Sequence, residues 1–156
     1  MKKDHYPLPH ISNLLDSLRK ARFYTKIDLH HTYHLVHIHE GNECKTAFCT
    51  HYDSFKWRVM PFGLTNAPAT FQCFMNDIFS DLLDVCMLVY LDNILIYSNS
   101  EEEYIWHIRK VLRCLQQHNL YAHADKCFFH VQTVEYLGYI LSPSGLTMAA
   151  NKVQVI

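Results

Sequence analysis

Apolar residues recur along this chain at two different spacings, which predict its helices and strands. Residues 23–29 (FYTKIDL) have the aromatic and β-branched content of a strand, and Asp28 lies near the C-terminal end of that strand. Before this strand, a helical spacing of apolar residues predicts a first helix. Its apolar positions are Ile11, Leu14, Leu15 and Leu18.

Strand-like composition returns in the next third of the chain, and a second helix follows it. The last two of three strand-like segments are joined by a short turn near Asp53 and Ser54. Asn66 is a plausible N-cap for the second helix, and Pro68 fits its first turn. The three segments are 35–39 (LVHIH), 45–52 (KTAFCTHY) and 55–60 (FKWRVM). The apolar face of the helix comprises Phe71, Phe74 or Met75, Ile78 and Leu82.

Residues 87–98 (MLVYLDNILIYS) set a carboxylate in the middle of an apolar run. An ionised side chain is costly in apolar surroundings unless a cation or a hydrogen-bond donor pairs with it. The pattern therefore predicts two strands joined by a two-residue turn, with Asp92 and Asn93 at the bend.

A capping-box spacing begins a third helix at Ser100 and Glu103. After that helix, residues 127–142 have the composition of short strands, with Gly138 at a bend. The order of elements predicts an α+β fold, a sheet with helices packed on one face. The core face predicted for the third helix comprises Ile105, Ile108, Leu112 and Leu115.

Composition limits the classes of protein that the chain can represent. Its 156 residues, 49% of them hydrophobic, can form one sizeable core. The 14 lysines and arginines against 15 acidic residues leave a formal charge of −1, so no overall basic excess indicates nucleic acid. Six scattered cysteines without a CxxC pair favour reduced thiols in an intracellular protein, and the apolar runs fall short of the roughly 20 residues that span a bilayer.

Two acids at predicted strand ends are the main candidates for chemistry. Asp28 and Asp92 would meet if their strands lie side by side. Mg²⁺ prefers oxygen ligands and usually takes one or two protein carboxylates plus substrate phosphates, so this pair is enough for a phosphoryl-transfer site. The alternative is that each aspartate caps a turn.

Six sequence segments together resemble one known family. They are YPLPHISNLLDSL, TKIDL followed by TYH, KTAF, VMPFGLTNAPATFQ, VYLDNILIYS and VEYLGYILS. Their order and spacing are similar to those of the reverse transcriptase of gypsy-type (Metaviridae) long-terminal-repeat retrotransposon polyproteins. The resemblance covers nearly the whole chain and implies an RNA-directed DNA polymerase of the right-hand type, with a ferredoxin-like antiparallel palm and part of the fingers.

The same resemblance implies that residues 1–156 are a single domain fragment of a longer polyprotein. The chain ends at NKVQVI without a helix stop or a polar tail, which favours this interpretation. We expect the upstream fingers, thumb, connection, RNase H and integrase to belong to the rest of that polyprotein. The expected location is intracellular, in a cytoplasmic virus-like particle or the nucleus, with no membrane partner.

The resemblance also implies roles for individual residues. Asp28 and Asp92 match the two metal-binding catalytic aspartates, and the backbone carbonyl of Leu29 would add a ligand. In that family the site holds two Mg²⁺ ions, with Mn²⁺ a possible substitute, and joins a deoxynucleoside triphosphate to a primer on an RNA or DNA template. Lys126 resembles a lysine that approaches the leaving pyrophosphate, although a solvated surface lysine is the alternative.

Further matches concern the nucleotide pocket and the primer end. Tyr33 corresponds to the aromatic residue that excludes a 2′-hydroxyl, and Phe62 and Gly63 match positions lining the pocket, with the helix that carries Gln72 behind it. The alternatives are a core tyrosine for Tyr33 and an ordinary apolar turn for the primer-end segment. The residues that match the primer grip are Leu137, Gly138 and Tyr139.

Asn93 is the main departure from the family, whose hairpin usually carries two adjacent aspartates. An amide can offer a carbonyl oxygen to Mg²⁺ but no charge, so we expect weakened metal binding and reduced or lost catalysis in an intact fold. The alternative function is therefore an inactive retroelement remnant that binds nucleic acid or a protein. The family also has arginine or glycine where this chain has His30, His37, Cys49, His51 and Asp53, a pattern that favours decay by transition mutations.

The histidine-rich segment HHTYHLVHIHE, with Cys44 and Cys49 nearby, raises a third alternative, a small zinc-binding module. Its spacings match no structural zinc pattern, so solvated or partly packed histidines are the favoured interpretation.

Overall fold

The structure is a computed structural model that describes Leu18, residues 21–30 and residues 32–149. The helix predicted from Ile11 to Leu18 therefore lies outside the described residues except for Leu18. The short 3-10 turns cover Thr32–Leu35, Glu43–Thr46 and Ala124–Lys126. The described strands and helices are β1 (Phe23–His30), β2 (Phe48–Cys49), β3 (Ser54–Phe55), α1 (Ala67–Ile78), β4 (Met87–Tyr90), β5 (Asn93–Ser98), α2 (Glu101–Gln117), β6 (Tyr121–Ala122), β7 (Phe128–Val131), β8 (Val134–Tyr136), β9 (Tyr139–Ser142) and β10 (Gly145–Met148).

The central sheet is antiparallel, with strand order β4-β5-β1-β6, and β7 also pairs with β1. The hairpin β4–β5 that follows α1 thus lies on one side of β1, and β6 and β7, which follow α2, lie on the other. This order confirms the predicted α+β class and its ferredoxin-like sheet. Strands β8, β9 and β10 form a separate antiparallel sheet, and β2 pairs with β3.

The central sheet has a different covering on each face, because successive side chains of a strand point to opposite sides. One face, with Ile27 and Ile94, packs against both helices through a single buried apolar cluster. The opposite face, with Tyr24 and Leu95, packs against β8 and β9. Both helices therefore cover the same face, as the order of elements predicts.

Helix α1 begins after Asn66 with proline in its first turn, as predicted, and it buries Phe71 and Met75 completely. The prediction is wrong at its other end, because the helix stops at Ile78 and Leu82 lies beyond it. Leu82 is still buried, since a turn with its amide donating to the Phe79 carbonyl at 2.8 Å brings it back to the core.

Helix α2 begins with the predicted cap, in which the Ser100 side chain accepts a hydrogen bond from the Glu103 amide at 3.3 Å. Its predicted core face is wrong in part: Ile105 and Leu112 are exposed. The helix is anchored by Tyr104, whose hydroxyl lies 2.7 Å from Oγ1 of the buried Thr25 in β1. With this hydrogen bond, Tyr104 and Val111 take the core positions predicted for Ile105 and Leu112, while Leu115 is buried as predicted. The buried residues of α2 are Tyr104, Val111 and Leu115.

The segment between β1 and α1 contains less strand than its composition predicts. Residues 35–39 contribute only an isolated bridge, between His37 and Val59, because residues 32–35 form a 3-10 turn. β2 and β3 are two residues each, and both are exposed. Little apolar surface is buried there to stabilise longer strands. The predicted turn is confirmed near Asp53, whose carbonyl accepts hydrogen bonds from the backbone and side chain of Thr50.

The β8–β9 turn consists of Leu137 and Gly138, both with positive φ (51° and 79°). This is the backbone pattern of a type I′ hairpin, and it confirms the predicted bend at Gly138. Across the described residues, no helix is both long and apolar enough to cross a membrane.

Candidate active site

The two candidate aspartates lie at the same end of the central sheet. Asp28 is close to the C-terminal end of β1 and stands directly opposite Asn93, the first residue of β5. The amide of Leu29 donates to the carbonyl of Asp92 at 2.8 Å, which ties the two strand ends together. A cleft of about 330 Å³ opens at this point. It is lined by Asp28, Leu29, His30, Thr32, Tyr33, Phe62, Asp92, His123 and Lys126.

The bend that carries Asp92 differs by one residue from the predicted one. The two turn residues are Leu91 and Asp92, because Tyr90 and Asn93 form the last paired position of the hairpin. Leu91 adopts a positive φ of 53°, which is costly for a branched side chain. The neighbouring structure must therefore hold this turn in place.

Gln72 holds the turn from the helix side. Its side chain is fully buried, and its Oε1 accepts a hydrogen bond from the Leu91 amide at 2.8 Å. Its Nε2 donates to the Val89 carbonyl at 3.1 Å and to Oδ1 of Asn76 at 2.9 Å. Gln72 thus lies behind the cleft rather than in its lining, where it supports the residue next to Asp92.

Asn93 contacts both candidate metal ligands in different ways. Its Nδ2 donates to Oδ1 of Asp92 at 3.0 Å, and across the strand pair it is the neighbour of Asp28. Side chains directly opposite in an antiparallel pair lie about 5 Å apart at Cβ. A neutral amide here avoids a third carboxylate close to the other two, and it occupies one oxygen of Asp92.

Lys126 provides the positive charge nearest to Asp28 among the described residues. Its Nζ lies 3.8 Å from Oδ1 of Asp28, with the lysine side chain 56% exposed and the aspartate 18% exposed. The lysine is held there by its 3-10 turn, which is attached to β1 through the His123 amide donating to the Asp28 carbonyl at 2.9 Å. The rings of His30 and His123 meet beside it, with centroids 4.1 Å apart.

Tyr33 forms an aromatic wall of the cleft. Its ring lies 4.8 Å from that of the exposed Phe62 and 4.9 Å from that of the buried Phe71. Burial, followed by the negative charges of Asp92 and Tyr90, raises the pKa of the Tyr33 hydroxyl above its usual value of 10.0. Tyr33 therefore presents a neutral hydroxyl and a fixed ring to any molecule bound in the cleft.

Gly63 and the predicted primer-grip residues do not line the cleft. Gly63 follows Phe62 with a φ of 91°, and a β-carbon added to it would meet nothing within 4 Å, so an open surface adjoins it. Leu137, Gly138 and Tyr139 belong to the β8–β9 hairpin of the separate sheet. The link between that hairpin and the cleft is Tyr136, which sequence reasoning missed.

The hydroxyl of Tyr136 donates to the carbonyl of Asn93 at 3.1 Å. In the sequence, the alternation of β8 indicates only that Tyr136 is buried. Burial alone does not identify the hydrogen-bond partner of its hydroxyl. Burial is the main cause that raises the pKa of its hydroxyl, so the hydroxyl stays protonated and can donate.

The described residues contain no group of three or more histidine, cysteine or acidic side chains able to hold a metal ion. Cys44 and Cys49, the thiols nearest the histidine-rich segment, are exposed and unbridged. The oxygen donors that do converge are the carboxylates of Asp28 and Asp92. Two carboxylates suit a hard cation that completes its shell with water and substrate phosphates, so this donor set fits Mg²⁺.

An antiparallel sheet with two helices on one face and aspartates at adjoining strand ends defines an α+β domain of the polymerase-palm type. A family model described as "Reverse transcriptase (RNA-dependent DNA polymerase)" matches residues 1–141. The chain therefore belongs to the reverse transcriptase family, and its similarity to transposon polyproteins makes it a reverse transcriptase domain of the retrotransposon kind.

The similar curated proteins are polyproteins of the fission yeast Schizosaccharomyces pombe (strain 972 / ATCC 24843). The chain is 38% identical to the Transposon Tf2-7 polyprotein and 37% identical to the Transposon Tf2-3 polyprotein, in each case over 100% of its own length. It spans 12% of the length of each of these relatives.

Solved structures share the fold at lower identity. The foamy viral protease-reverse transcriptase in complex with an RNA/DNA hybrid matches 98% of this chain and 21% of its own, with a TM-score of 0.84 and 21% identity. The same enzyme in complex with double-stranded DNA matches 100% of this chain and 33% of its own, with a TM-score of 0.85. These likenesses confirm the palm-type fold.

Proposed function

We propose that this chain is the palm, with part of the fingers, of an RNA-directed DNA polymerase within a retrotransposon polyprotein. It would add deoxynucleotides to a primer 3′-hydroxyl on an RNA or DNA template. The observation that carries this proposal is the convergence of Asp28 and Asp92 in one cleft, in a chain of the reverse transcriptase family. Complexes of structurally similar enzymes with an RNA/DNA hybrid and with double-stranded DNA support the class of substrate.

Reverse transcriptases generally use divalent metal ions, and this cleft has the oxygen donors for them. Asp28 and Asp92 would hold two Mg²⁺ ions, or Mn²⁺, with the carbonyl of Leu29 as a further ligand. Bound there, the metal would favour ionisation of the primer hydroxyl and neutralise the triphosphate. The remaining steps of the proposed reaction are carried out by side chains of the cleft.

Three of those side chains have distinct tasks in the proposed reaction. Lys126 brings a positive charge to within 3.8 Å of Asp28, where it would stabilise the leaving pyrophosphate and donate a proton to it. Tyr33 and Phe62 form the aromatic wall against which the sugar of the incoming nucleotide would lie. A ring fixed by Phe71 would exclude a 2′-hydroxyl, because it cannot move aside.

The second candidate function is an inactive remnant that binds nucleic acid without polymerising it. The hydrogen bond from Nδ2 of Asn93 to Asp92 favours this candidate. It engages one oxygen of a proposed metal ligand and places a neutral group where the family usually has a third carboxylate, so metal binding should be weaker.

Primer extension separates the two candidates. The assay uses a longer polypeptide that adds fingers and thumb segments to this chain, an RNA template, and Mg²⁺ or Mn²⁺. We expect extension by Asn93→Asp to exceed that of the unaltered chain, and Asp28→Asn to abolish it. An unaltered chain that extends as fast as Asn93→Asp would exclude the inactive remnant, whereas no extension by either form would contradict the polymerase proposal.

A further inference from the structure

Tyr136 connects the β8–β9 hairpin, which packs on the helix-free face of the central sheet, to the β4–β5 hairpin within that sheet. It is the last residue of β8, immediately before the Leu137–Gly138 turn, and its side chain is 6% exposed. Its hydroxyl reaches out of its own sheet to the carbonyl of Asn93 in β5, at 3.1 Å. This is a hydrogen bond between positions 43 residues apart in the chain.

The hydrogen bond of Tyr136 lies on one side of Asp92, and a second buried side chain bonds to the backbone on the other side. Gln72, from α1, holds the Leu91 amide, and Tyr136, from β8, holds the Asn93 carbonyl. Asp92 is the residue between these two points, and its own carbonyl accepts from Leu29. The backbone around Asp92 is thus fixed by buried groups from three different elements.

Tyr24, in the same apolar cluster, provides a comparison, because its hydroxyl bonds only to nearby backbone. Tyr24 is 1% exposed and packs in the same apolar cluster. Its hydroxyl donates to the carbonyls of Leu18 and Ala21, at 3.0 and 3.2 Å, only a few residues before it in the chain. Tyr136 makes the same kind of bond, but its acceptor is next to the aspartate of the cleft.

We propose that Tyr136 is a positioning residue that couples the β8–β9 hairpin to the carboxylate of Asp92. The inference rests on the proposed function, in which that carboxylate binds metal, and deepens it. A displacement of the hairpin moves the Asn93 carbonyl and with it the neighbouring aspartate. The affinity of Asp92 for metal then depends on the position of the hairpin, through the hydrogen bond of Tyr136.

The test compares Tyr136→Phe with the matched control Tyr24→Phe in the 156-residue chain. Both variants lose one hydroxyl from a buried tyrosine of the same cluster. Nuclear magnetic resonance follows two signals: the carboxyl carbon of Asp92, and the backbone amide of Ile94, whose nitrogen is bonded to the carbonyl carbon of Asn93. We expect both signals to shift in Tyr136→Phe and to remain in place in Tyr24→Phe.

Metal affinity provides the second readout, with Mn²⁺ as the probe and electron paramagnetic resonance as the method. We expect Tyr136→Phe to bind Mn²⁺ roughly two- to tenfold more weakly, the range set by the net contribution of one hydrogen bond. Should Tyr136→Phe fail to fold, 3-fluorotyrosine at position 136 replaces it. The more acidic hydroxyl donates more strongly and should shift the Ile94 amide while the shape is kept.

Unchanged Asp92 and Ile94 signals in Tyr136→Phe would overturn the inference, as would equal shifts in Tyr24→Phe. Failure of every form to bind Mn²⁺ would count against the proposed function. The Asp92 and Ile94 signals would still show whether Tyr136 couples the β8–β9 hairpin to Asp92. A chain that polymerises but shows no shift at Asp92 would leave the proposed function standing and remove the coupling.

Discussion

At the scale of single residues, the candidate site depends on an uncharged side chain that is absent from its lining. Gln72 is fully buried and bonds to three groups, among them the amide of Leu91 in its left-handed conformation. A buried polar group that loses its partner costs about 1–3 kcal/mol. The geometry of Asp92 therefore depends on a residue that cannot touch a substrate.

Replacing Gln72 by leucine tests this dependence. Gln72→Leu keeps a side chain of similar size but leaves the Leu91 amide and the Val89 carbonyl without these partners, so the free energy of unfolding should fall by about 2–4 kcal/mol. Urea denaturation measures the change. The control is Gln116→Leu on the exposed side of α2, which should change stability by less than about 0.5 kcal/mol. Equal losses of unfolding free energy in the two variants would show that the hydrogen bonds of Gln72 contribute nothing specific to stability.

Asn93 allows a prediction about stability that is separate from catalysis. Asn93→Asp places a carboxylate opposite Asp28 and beside Asp92, and like charges in a cross-strand pair are destabilising. We expect the variant to be less stable than the unaltered chain, by about 1 kcal/mol, when EDTA is present. Mg²⁺ should restore it, since a ligand at roughly 100 times its dissociation constant adds about 2.7 kcal/mol.

Chemical denaturation with EDTA and with Mg²⁺ measures both changes. The control is Asn119→Asp, at an exposed position outside the cleft, which makes the same change of charge. Its stability should not depend on Mg²⁺. A response to Mg²⁺ in the control as large as that of Asn93→Asp would mean that the ion acts on the whole chain rather than at the cleft.

At the scale of secondary-structure elements, α2 shows how an anchor overrides a periodic pattern. Ile105 and Leu112 follow the helical spacing relative to Leu115 as well as Tyr104 and Val111 do, so hydrophobicity alone leaves two possible faces that share Leu115. The hydrogen bond between the hydroxyl of Tyr104 and Thr25, a contact between residues 79 apart, decides between them. A contact at that separation leaves no trace in local spacing.

Two leucines of α2, both in the predicted core face, test which part of that face is buried. Leu115 is 5% exposed and Leu112 is 43% exposed, and they lie three residues apart on one helix. Leu115→Ala should lower the free energy of unfolding by about 2–5 kcal/mol, because it empties a packed site. Leu112→Ala should cost less than about 1 kcal/mol, since little area leaves the core. Denaturation of the two variants side by side measures the difference, and a loss in Leu112→Ala as large as that in Leu115→Ala would place Leu112 in the core, as its spacing predicts.

The difference between local pattern and contacts between distant elements also explains which parts of the site were predictable. The positions of Asp28 and Asp92 follow from local pattern, since each interrupts an apolar run at a strand end, and the antiparallel order of the sheet then brings them together. The turn at Leu91 was placed one residue late, because leucine is an unexpected choice for positive φ. The roles of Gln72 and Tyr136 depend on contacts between distant elements, and a sequence pattern does not contain them.

At the scale of the whole molecule, the sheet separates a helix-covered face from a face on which the β8–β10 sheet lies. Alternation puts Asp28 and Asn93 on the same side of β1 and β5 as Tyr24 and Leu95, which belong to the second face. The acids thus emerge at the rim of the face that the helices leave free. The first face, in contrast, packs its apolar groups against the two helices.

Cys86 belongs to that first core and gives the molecule a dependence on alkaline pH. Its side chain is fully buried, its Sγ donates to the Leu82 carbonyl at 3.8 Å, and burial raises the pKa of its thiol from 9.0 to about 11, with the charge of Lys110 as a smaller opposing effect. Between these two values the thiol ionises in the unfolded chain but stays protonated in the folded one. The unfolded state then binds fewer protons, so stability must fall as pH rises from 9 to about 11.

The prediction is a slope contributed by Cys86 that approaches one proton, or about 1.4 kcal/mol per pH unit. Urea denaturation at intervals from about pH 8 to about pH 11 measures it, under reducing conditions because the described cysteines are free thiols. Cys86→Ala should be less stable at about pH 8, where it leaves a cavity, yet should lose stability less steeply above about pH 9. Cys49→Ala, on the exposed hairpin, should follow the unaltered chain throughout. If Cys86→Ala and the unaltered chain decline in parallel, the pH dependence arises from other groups, such as the buried Tyr24, whose pKa burial also raises.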